Sequence, residues 1–349
     1  MNQALFAAPA LALLLSAAAI GILRQAAPAL PADIPNSRSL HGLPVPRAGG
    51  YAVWAGFLPA ALAFPPAYPG GLVGWLPAFM AIALVSAWDD VREVRVAPRL
   101  FVHAGAAIWT AAWLAHAWPL PDDGTLARVL ATLAVALTIA WSSNLYNFMD
   151  GNDGLAASMG TIGFAALGIA HAMNEEAARA SSAPACLALA AAIAPFLAVN
   201  RPRASMFLGD VGAVPLGFLA AAFGASGVAS GAWPPWFPLL VFLPFIADAT
   251  LTLARRAWRG DRLVEGHRGH FYQRLHQLGA GHAGTLAVYV ATMLGTAVTA
   301  LVCRDHAPAA GWWALAAWTA VVCMLFAAID YHWRKKTNIP AQSSRWPST

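Results

Sequence analysis

Residues 125–154 read TLARVLATLAVALTIAWSSNLYNFMDGNDG, and this stretch decides the fold class of the chain. Its first part is almost entirely apolar and has the ~20 residues that a helix needs to cross a bilayer core. Backbone groups in lipid must bond within the segment, so such a span has to be helical. Polar residues then recur at every third position from Asn144. The stretch therefore predicts a membrane-spanning helix that ends in a polar motif.

The composition of the whole chain agrees with a membrane protein. Of the 349 residues, 59% are hydrophobic and only 11% are charged, whereas soluble globular chains carry about 25% charged residues. So few ions cannot cover the surface of a water-soluble protein of this size, and disorder requires the opposite composition. The net charge of +5 comes without a basic patch interleaved with aromatic residues, so nucleic acid is not expected as a partner.

The length criterion predicts about eleven spans and hence an all-α polytopic membrane protein. The predicted spans are residues 4–23, 49–65, 70–88, 100–118, 125–144, 154–172, 183–199, 211–229, 236–256, 284–303 and 311–331. We expect a single integral-membrane domain over residues 1–335, followed by a cytoplasmic tail over residues 336–349.

The basic residues predict the orientation of these spans. Eighteen of the 21 fall on one side, and only Arg128, Arg179 and Arg304 fall on the other. Cytoplasmic loops carry the excess of Lys and Arg, so the N-terminus is expected to be periplasmic and the C-terminus cytoplasmic. Nearly every acidic, amide and histidine cluster lies in the cytoplasmic connections. An active site is therefore expected at the cytoplasmic membrane face.

Two acidic motifs lie at ends of spans. Asp89 and Asp90 end the third span, where a cation or a basic ligand would offset their mutual repulsion. The alternative is a pair of solvated interface anchors. Asp210, between Gly209 and Gly212, opens the eighth span. It either complements the helix dipole or binds a hard cation such as Mg²⁺, which typically takes one or two carboxylates together with phosphate oxygens.

The polar end of the fifth span is a stronger signal. Asn144, Asn147, Asp150 and Asp153 would follow one slowly drifting helix face. Amides at membrane depth need partners in the bundle or in a water-filled cleft. A capped helix end explains one such residue but not four in register. The motif therefore predicts a polar cleft.

Residues 255–282 form the longest cytoplasmic connection. His267, Arg268, His270, Gln273 and Arg274 supply a donor-rich surface that suits phosphate oxygens. A zinc site is the alternative, but the histidines lack cysteine partners.

Two further polar features allow two interpretations each. Asp248, inside the ninth span, is either functional or paired with an interhelical donor. The loop around His41 either holds an anionic headgroup or only marks topology.

In their order along the chain, these clusters resemble the polyprenyl-phosphate N-acetylhexosamine-1-phosphate transferase family, which includes the bacterial MraY, WecA and WbpL enzymes. The resemblance implies that undecaprenyl phosphate attacks the β-phosphate of a UDP-N-acetyl sugar. The products would be a polyprenyl diphosphate sugar and UMP, with Mg²⁺ or Mn²⁺ required. It also implies a location in the bacterial inner membrane, and a homodimer would fit the family.

The resemblance also implies roles for individual residues. It implies that the catalytic residues are Asp89, Asp90, Asp150, Asp153, His267, Arg268 and His270. It implies that the substrate-binding residues are His41, Asn144, Asn147, Asn200 and Gln273. It implies that the metal ligands are Asp210 and Asp153.

One departure from the family pattern bears on the substrate. Residues 267–275 read HRGHFYQRL, where MraY-type enzymes have three histidines. This resembles the WbpL-like branch, which starts O-antigen or other envelope glycans, and leaves the donor sugar open. The alternative function is a secondary transporter, which would place polar sites near the bilayer midplane in repeated halves. The sequence shows neither feature.

Overall fold

The computed structural model describes residues 3–35, 40, 43–92, 94–118, 124–173, 182–262 and 267–337. The helices are α1 Ala4–Gln25, α2 Gly49–Ala63, α3 Gly71–Val91, α4 Val96–Ala117, α5 Thr125–Phe148, α6 Leu155–Ala172, α7 Ala183–Asn200, α8 Asp210–Ala229, α9 Trp236–Val241, α10 Leu243–Trp258, α11 Phe271–Leu275, α12 Gly281–His306 and α13 Gly311–Thr337. The strands are β1 Ala32–Asp33 and β2 Val45–Pro46, which pair antiparallel.

The predicted all-α polytopic membrane fold is confirmed. Within the described ranges, nine helical segments are long and apolar enough to cross a membrane. The second predicted span is the 15-residue helix α2. The ninth is divided at Phe242, because Pro244 has no N–H to continue the helix and starts a new one instead. The count of eleven spans and the orientation remain predictions.

The bundle is built around α8, which packs against α2, α3, α4, α5 and α6. Most of its residues are buried. The α2 and α8 backbones touch, since a Cβ on Gly50 would lie 2.5 Å from the Gly212 nitrogen. Small residues allow such close approach between helices in lipid. α5, in contrast, exposes Leu126, Leu130, Leu133 and Leu137 along one face, as expected of a helix against lipid.

The short β1–β2 pair ties the first loop to the start of α8. Phe207 N–H donates to the Pro46 carbonyl at 2.8 Å, and Gly49 N–H donates to the Phe207 carbonyl at 2.8 Å. Gly50 N–H donates to the Leu208 carbonyl at 2.9 Å. These bonds fix the loop that precedes Asp210.

Candidate active site

Three helix ends meet at one face of the bundle. α3 ends with Asp89 and Asp90, α5 is followed by Asp150, and α8 begins with Asp210. α8 contacts both α3 and α5, which brings these ends to one place. The structure thus collects carboxylates from three separate sequence motifs.

Asp90 caps the N-terminus of α8. Its Oδ1 accepts the Asp210 backbone N–H at 2.9 Å, and its Oδ2 accepts the Val211 N–H at 2.9 Å. These N–H groups belong to the first turn and have no partner within the helix, and a negative charge is favourable there. Asp90 therefore fixes the start of α8 and with it the position of Asp210.

We expect the Gly209→Ala substitution to lower the free energy of unfolding by about 2–3 kcal/mol. Gly209 has φ 75° and ψ 165°, a region that essentially only glycine occupies. A Cβ there would also lie 2.7 Å from Asp90 Oδ2 and displace the cap. Thermal unfolding in detergent measures the effect. Gly105→Ala is the matched control, because a Cβ at this position of α4 meets nothing within 4 Å. Equal melting temperatures for the two variants would contradict the strained conformation.

Asp89 is joined to Asp210 through Arg99 of α4. Arg99 Nη1 donates to Asp89 Oδ2 and lies 3.5 Å from Asp210 Oδ2. Asp89 Oδ1 also accepts the Val94 N–H at 2.7 Å. Sequence reasoning assigned Arg99 only to topology and missed this bridge. The available signal was its place one turn into the helix that follows the Asp89-Asp90 pair.

A cavity of about 220 Å³, hereafter the main cavity, lies beside these carboxylates. It is lined by Asp33, Leu40, Arg47, Asn147, Asp150, Gly151, Asn152, Asp153, Asn200, Phe207, Gly209, Asp210, Gln273 and His282. Six of the residues predicted for the site line it, and Asn147 Nδ2 donates to Asp210 Oδ2 at 3.3 Å.

The charge inside the main cavity is predominantly negative. Burial, together with Asp210 and Asp90, raises the pKa of Asp150 well above its usual value. Arg47 acts in the opposite direction on that pKa. Arg47 is held by Asp33, whose Oδ1 lies 2.6 Å from its Nη2. Sequence reasoning did not single out this pair, because Asp33 and Arg47 are 14 residues apart in a loop without a helical pattern.

Asp153 and Asn200 hold the loop between α7 and α8. Asp153 Oδ2 accepts the backbone N–H groups of Arg203 and Ala204 at 3.0 and 3.1 Å. Asn200 Oδ1 accepts the Gly154 N–H at 3.0 Å, and its Nδ2 donates to the Met206 carbonyl at 2.9 Å. Both polar atoms of Asn200 are thus used within the protein. Asp153 as a metal ligand and Asn200 as a substrate ligand remain predictions.

His282, at the start of α12, is a cavity residue that sequence reasoning missed. The Asp153 backbone N–H donates to its Nδ1 at 3.2 Å, and its Nε2 lies 3.2 Å from the Leu40 carbonyl. Because Nδ1 accepts, the proton is assigned to Nε2, which then donates to Leu40. His282 therefore joins the first loop to the Asp153 motif.

The side chain of Asp248, on α10, holds the first residues of α11 in place. Its carboxylate is fully buried and accepts the Phe271 and Tyr272 N–H groups, each at 3.0 Å. His270 Nδ1 lies 3.2 Å from Asp248 Oδ1, and Gln273 Oε1 accepts the His270 N–H at 3.2 Å. Of the two interpretations of Asp248, the structure shows the paired one. This pairing places His270 and Gln273 next to the end of α5. There the Tyr272 hydroxyl donates to the Phe148 carbonyl at 3.1 Å.

The remaining predicted residues lie elsewhere. His267 stacks on His270 with ring centroids 4.9 Å apart, but it lines a second cavity. Arg268 is half-buried and does not line the main cavity, and Asn144 Nδ2 donates to its own helix at the Ala140 carbonyl. His41 lies outside the described residues.

The fold and this site define a multi-pass membrane protein whose acidic, amide-lined cavity lies at one end of the bundle. Residues 72–227 match the glycosyl transferase family 4. A decaprenyl-phosphate N-acetylglucosaminephosphotransferase of Mycolicibacterium smegmatis is 30% identical over 292 residues, which cover 73% of this chain and 71% of the relative. An undecaprenyl-phosphate α-N-acetylglucosaminyl 1-phosphate transferase of Yersinia pestis is 28% identical over 263 residues, which cover 71% of this chain and 70% of the relative.

A phospho-N-acetylmuramoyl-pentapeptide-transferase of a Picosynechococcus species is 30% identical over 239 residues, which cover 64% of this chain and 60% of the relative. The chain belongs to the polyprenyl-phosphate N-acetylhexosamine-1-phosphate transferase family. It is thus a membrane-embedded phospho-sugar transferase.

Proposed function

We propose that the protein transfers an N-acetyl-aminosugar-1-phosphate from a UDP-sugar to undecaprenyl phosphate at the cytoplasmic face of the bacterial inner membrane. The observation that carries this proposal is the Asp89–Arg99–Asp210 bridge beside the main cavity. A cation held between carboxylates supports this proposal, because it would bind the phosphates of both a soluble diphosphate and a lipid phosphate. The family relatives named for N-acetylglucosamine support that sugar or a close analogue as the donor.

In the proposed reaction, an oxygen of the lipid phosphate forms a bond to the β-phosphorus of the donor. The bond from that phosphorus to the bridging oxygen breaks, and UMP leaves with the electron pair. Arg99 would orient a phosphate oxygen between Asp89 and Asp210, since a guanidinium presents several donors in a fixed plane. Asn147 and Gln273, which both line the cavity, would bind the donor.

Magnesium fits the donor set of the main cavity. Asp210 and Asp150 supply carboxylates and Asn147 an amide oxygen. Burial first, and then the charges of Asp210 and Asp90, raise the pKa of Asp150, and a divalent cation would offset both effects. No group of three acidic, His or Cys side chains converges in the described ranges. This agrees with an ion held by one or two carboxylates and completed by substrate phosphates. When bound, it would neutralise charge on the transferring phosphate.

The proposed product would start a cell-envelope glycan such as O-antigen. The HRGHFYQRL segment, which resembles the WbpL-like branch, supports this placement. Donors of that branch include N-acetylfucosamine and N-acetylquinovosamine as well as N-acetylglucosamine.

The test is an assay of purified protein with undecaprenyl phosphate, Mg²⁺ and a panel of UDP-amino sugars, in which released UMP is measured. We expect UMP release with at least one donor, dependent on both the lipid and the metal. UMP release that does not require the lipid would contradict transfer. No release from any donor of the panel would contradict the proposed donor class.

A further inference from the structure

A second cavity, which shares no lining residue with the main cavity, is strongly basic. It encloses about 140 Å³ and is hereafter the basic cavity. Its charged walls are Arg255, Arg256, Arg259, Asp261 and Arg274. Four arginines thus face one aspartate in the wall and Asp330, which pairs with Arg255 and Arg274. The cavity therefore has a clear excess of positive charge.

Two arginines of the basic cavity, Arg255 and Arg274, are held in place by Asp330 and Phe271. Arg255 Nη2 lies 2.8 Å from Asp330 Oδ2, and Arg274 Nη1 lies 2.5 Å from Asp330 Oδ1. Both guanidinium groups also lie over the Phe271 ring, at 5.3 and 5.7 Å from its centroid. A guanidinium carries five N–H donors, so these contacts leave donors available to a ligand. The site is preorganised for an anion.

The helix dipole explains only part of this cluster. Arg255 and Arg256 are in the last turn of α10, where cations complement the dipole. Arg274 comes from α11, and Arg259 follows the helix as an exposed residue. His267, also in the wall, adds no charge near neutral pH, because burial, His270 and Arg256 lower its pKa to about 4. Arginines from separate elements thus face one space.

The residues around the basic cavity are of the types found at the level of lipid headgroups. Asp330 also accepts from Arg334, which with Lys335 and Lys336 forms the basic last turn of α13. Basic residues at the ends of spanning helices lie at the membrane interface. Trp258, next to Arg259, is 93% exposed, and Trp is enriched in the same interfacial layer.

We propose that the basic cavity binds the phosphate of an anionic phospholipid headgroup. Basic pockets between helices on the cytoplasmic side bind anionic headgroups by the same chemistry. The basic cavity shares no lining residue with the main cavity, although His267, which the family resemblance assigns to catalysis, lies in its wall.

The test compares lipid binding by the full-length protein and by two variants. The wild type, Arg259→Gln and the double variant Arg256→Gln/Arg259→Gln are reconstituted in nanodiscs of phosphatidylcholine alone or of equal parts phosphatidylcholine and phosphatidylglycerol. Retained lipid is then counted by native mass spectrometry. We expect the wild type to retain phosphatidylglycerol selectively, and each lost arginine to weaken retention about five-fold. Arg24→Gln, which removes an exposed charge at the end of α1, is the matched control and should retain lipid like the wild type.

The outcomes separate the sources of the phosphate. Equal retention of phosphatidylglycerol by the wild type and the double variant, with unchanged melting temperatures, would overturn the site. If Arg24→Gln loses as much phosphatidylglycerol as the basic-cavity variants do, the retention reflects general surface charge, and this result also overturns the proposal. Inorganic phosphate is tested in phosphatidylcholine nanodiscs by calorimetry. Arginine-dependent binding of inorganic phosphate without any preference for phosphatidylglycerol would overturn the lipid assignment.

Discussion

Asp210→Asn is expected to lower UMP release by about 10³-fold, because a bound metal that stabilises charge on the transferring phosphate contributes several kcal/mol. Asparagine has the same size, and its amide oxygen can still accept from Asn147, whose Nδ2 lies 3.3 Å from Asp210 Oδ2. The cap of α8 uses the backbone N–H of Asp210 and is unaffected. The substitution therefore removes the negative charge, and with it the ion pair with Arg99, but leaves the helix cap in place.

The measurement is UMP release as a function of Mg²⁺ concentration, together with the melting temperature. Asp305→Asn makes the same chemical change at the opposite end of the bundle, where Asp305 pairs only with its neighbour His306 among the described residues, and should leave turnover unchanged. Normal turnover of Asp210→Asn at the wild-type Mg²⁺ concentration would remove Asp210 from the proposed metal site.

The helices were predictable because membrane helices follow a local rule. Each apolar stretch of sufficient length forms a helix, and α1, α6, α7 and α8 begin within a residue of their predicted start. The break at Phe242 was not predicted, because the apolar pattern continues through Pro244. Hydropathy indicates whether a segment lies in an apolar environment. It does not indicate whether the backbone hydrogen bonds of the helix continue without a break.

The acidic residues of the site were predictable from the sequence, and its arginines were not. Carboxylates near membrane depth are rare, so Asp89, Asp150 and Asp210 stand out in the sequence. Arg47 and Arg99 do not, because a basic residue beside a span is already explained by topology. Only the fold shows that Arg99 faces Asp210 across more than 100 residues of chain.

Asp90, Asp153 and Asn200 show a second limit of sequence reasoning. Each lies in a motif that suggests chemistry, and each uses its side chain to bind backbone groups. Asp90 binds the N-terminus of α8, Asp153 binds the α7–α8 loop, and Asn200 binds Gly154 and Met206. Such partners are backbone atoms, which every residue has, so no side-chain pattern identifies them. Part of the motif thus builds the cavity that the remaining residues line.

Asp248→Asn is expected to destabilise the fold by about 3–5 kcal/mol and to lower activity through α11. The carboxylate accepts five hydrogen bonds, from Thr252, His270 and Phe271 at Oδ1 and from Tyr272 and Tyr289 at Oδ2. Whichever way the amide is placed, its NH₂ group faces the backbone N–H of Phe271 or of Tyr272, which cannot accept, so both of these groups lose a hydrogen bond. Each unsatisfied buried group costs about 1–3 kcal/mol.

Tyr289→Phe is the matched control, because it removes one donor, 2.5 Å from Asp248 Oδ2, and leaves the carboxylate in place. We expect it to cost about 2 kcal/mol, the value of a hydrogen bond to a charged group. Thermal unfolding in detergent and UMP release are measured for both variants. Because Asp248 positions His270 and Gln273 through α11, Asp248→Asn should lose activity even at temperatures where it is still folded, and Tyr289→Phe should keep most of it. If the two variants lose equal stability and equal activity, the carboxylate does not organise α11, and His270 must be held by other contacts.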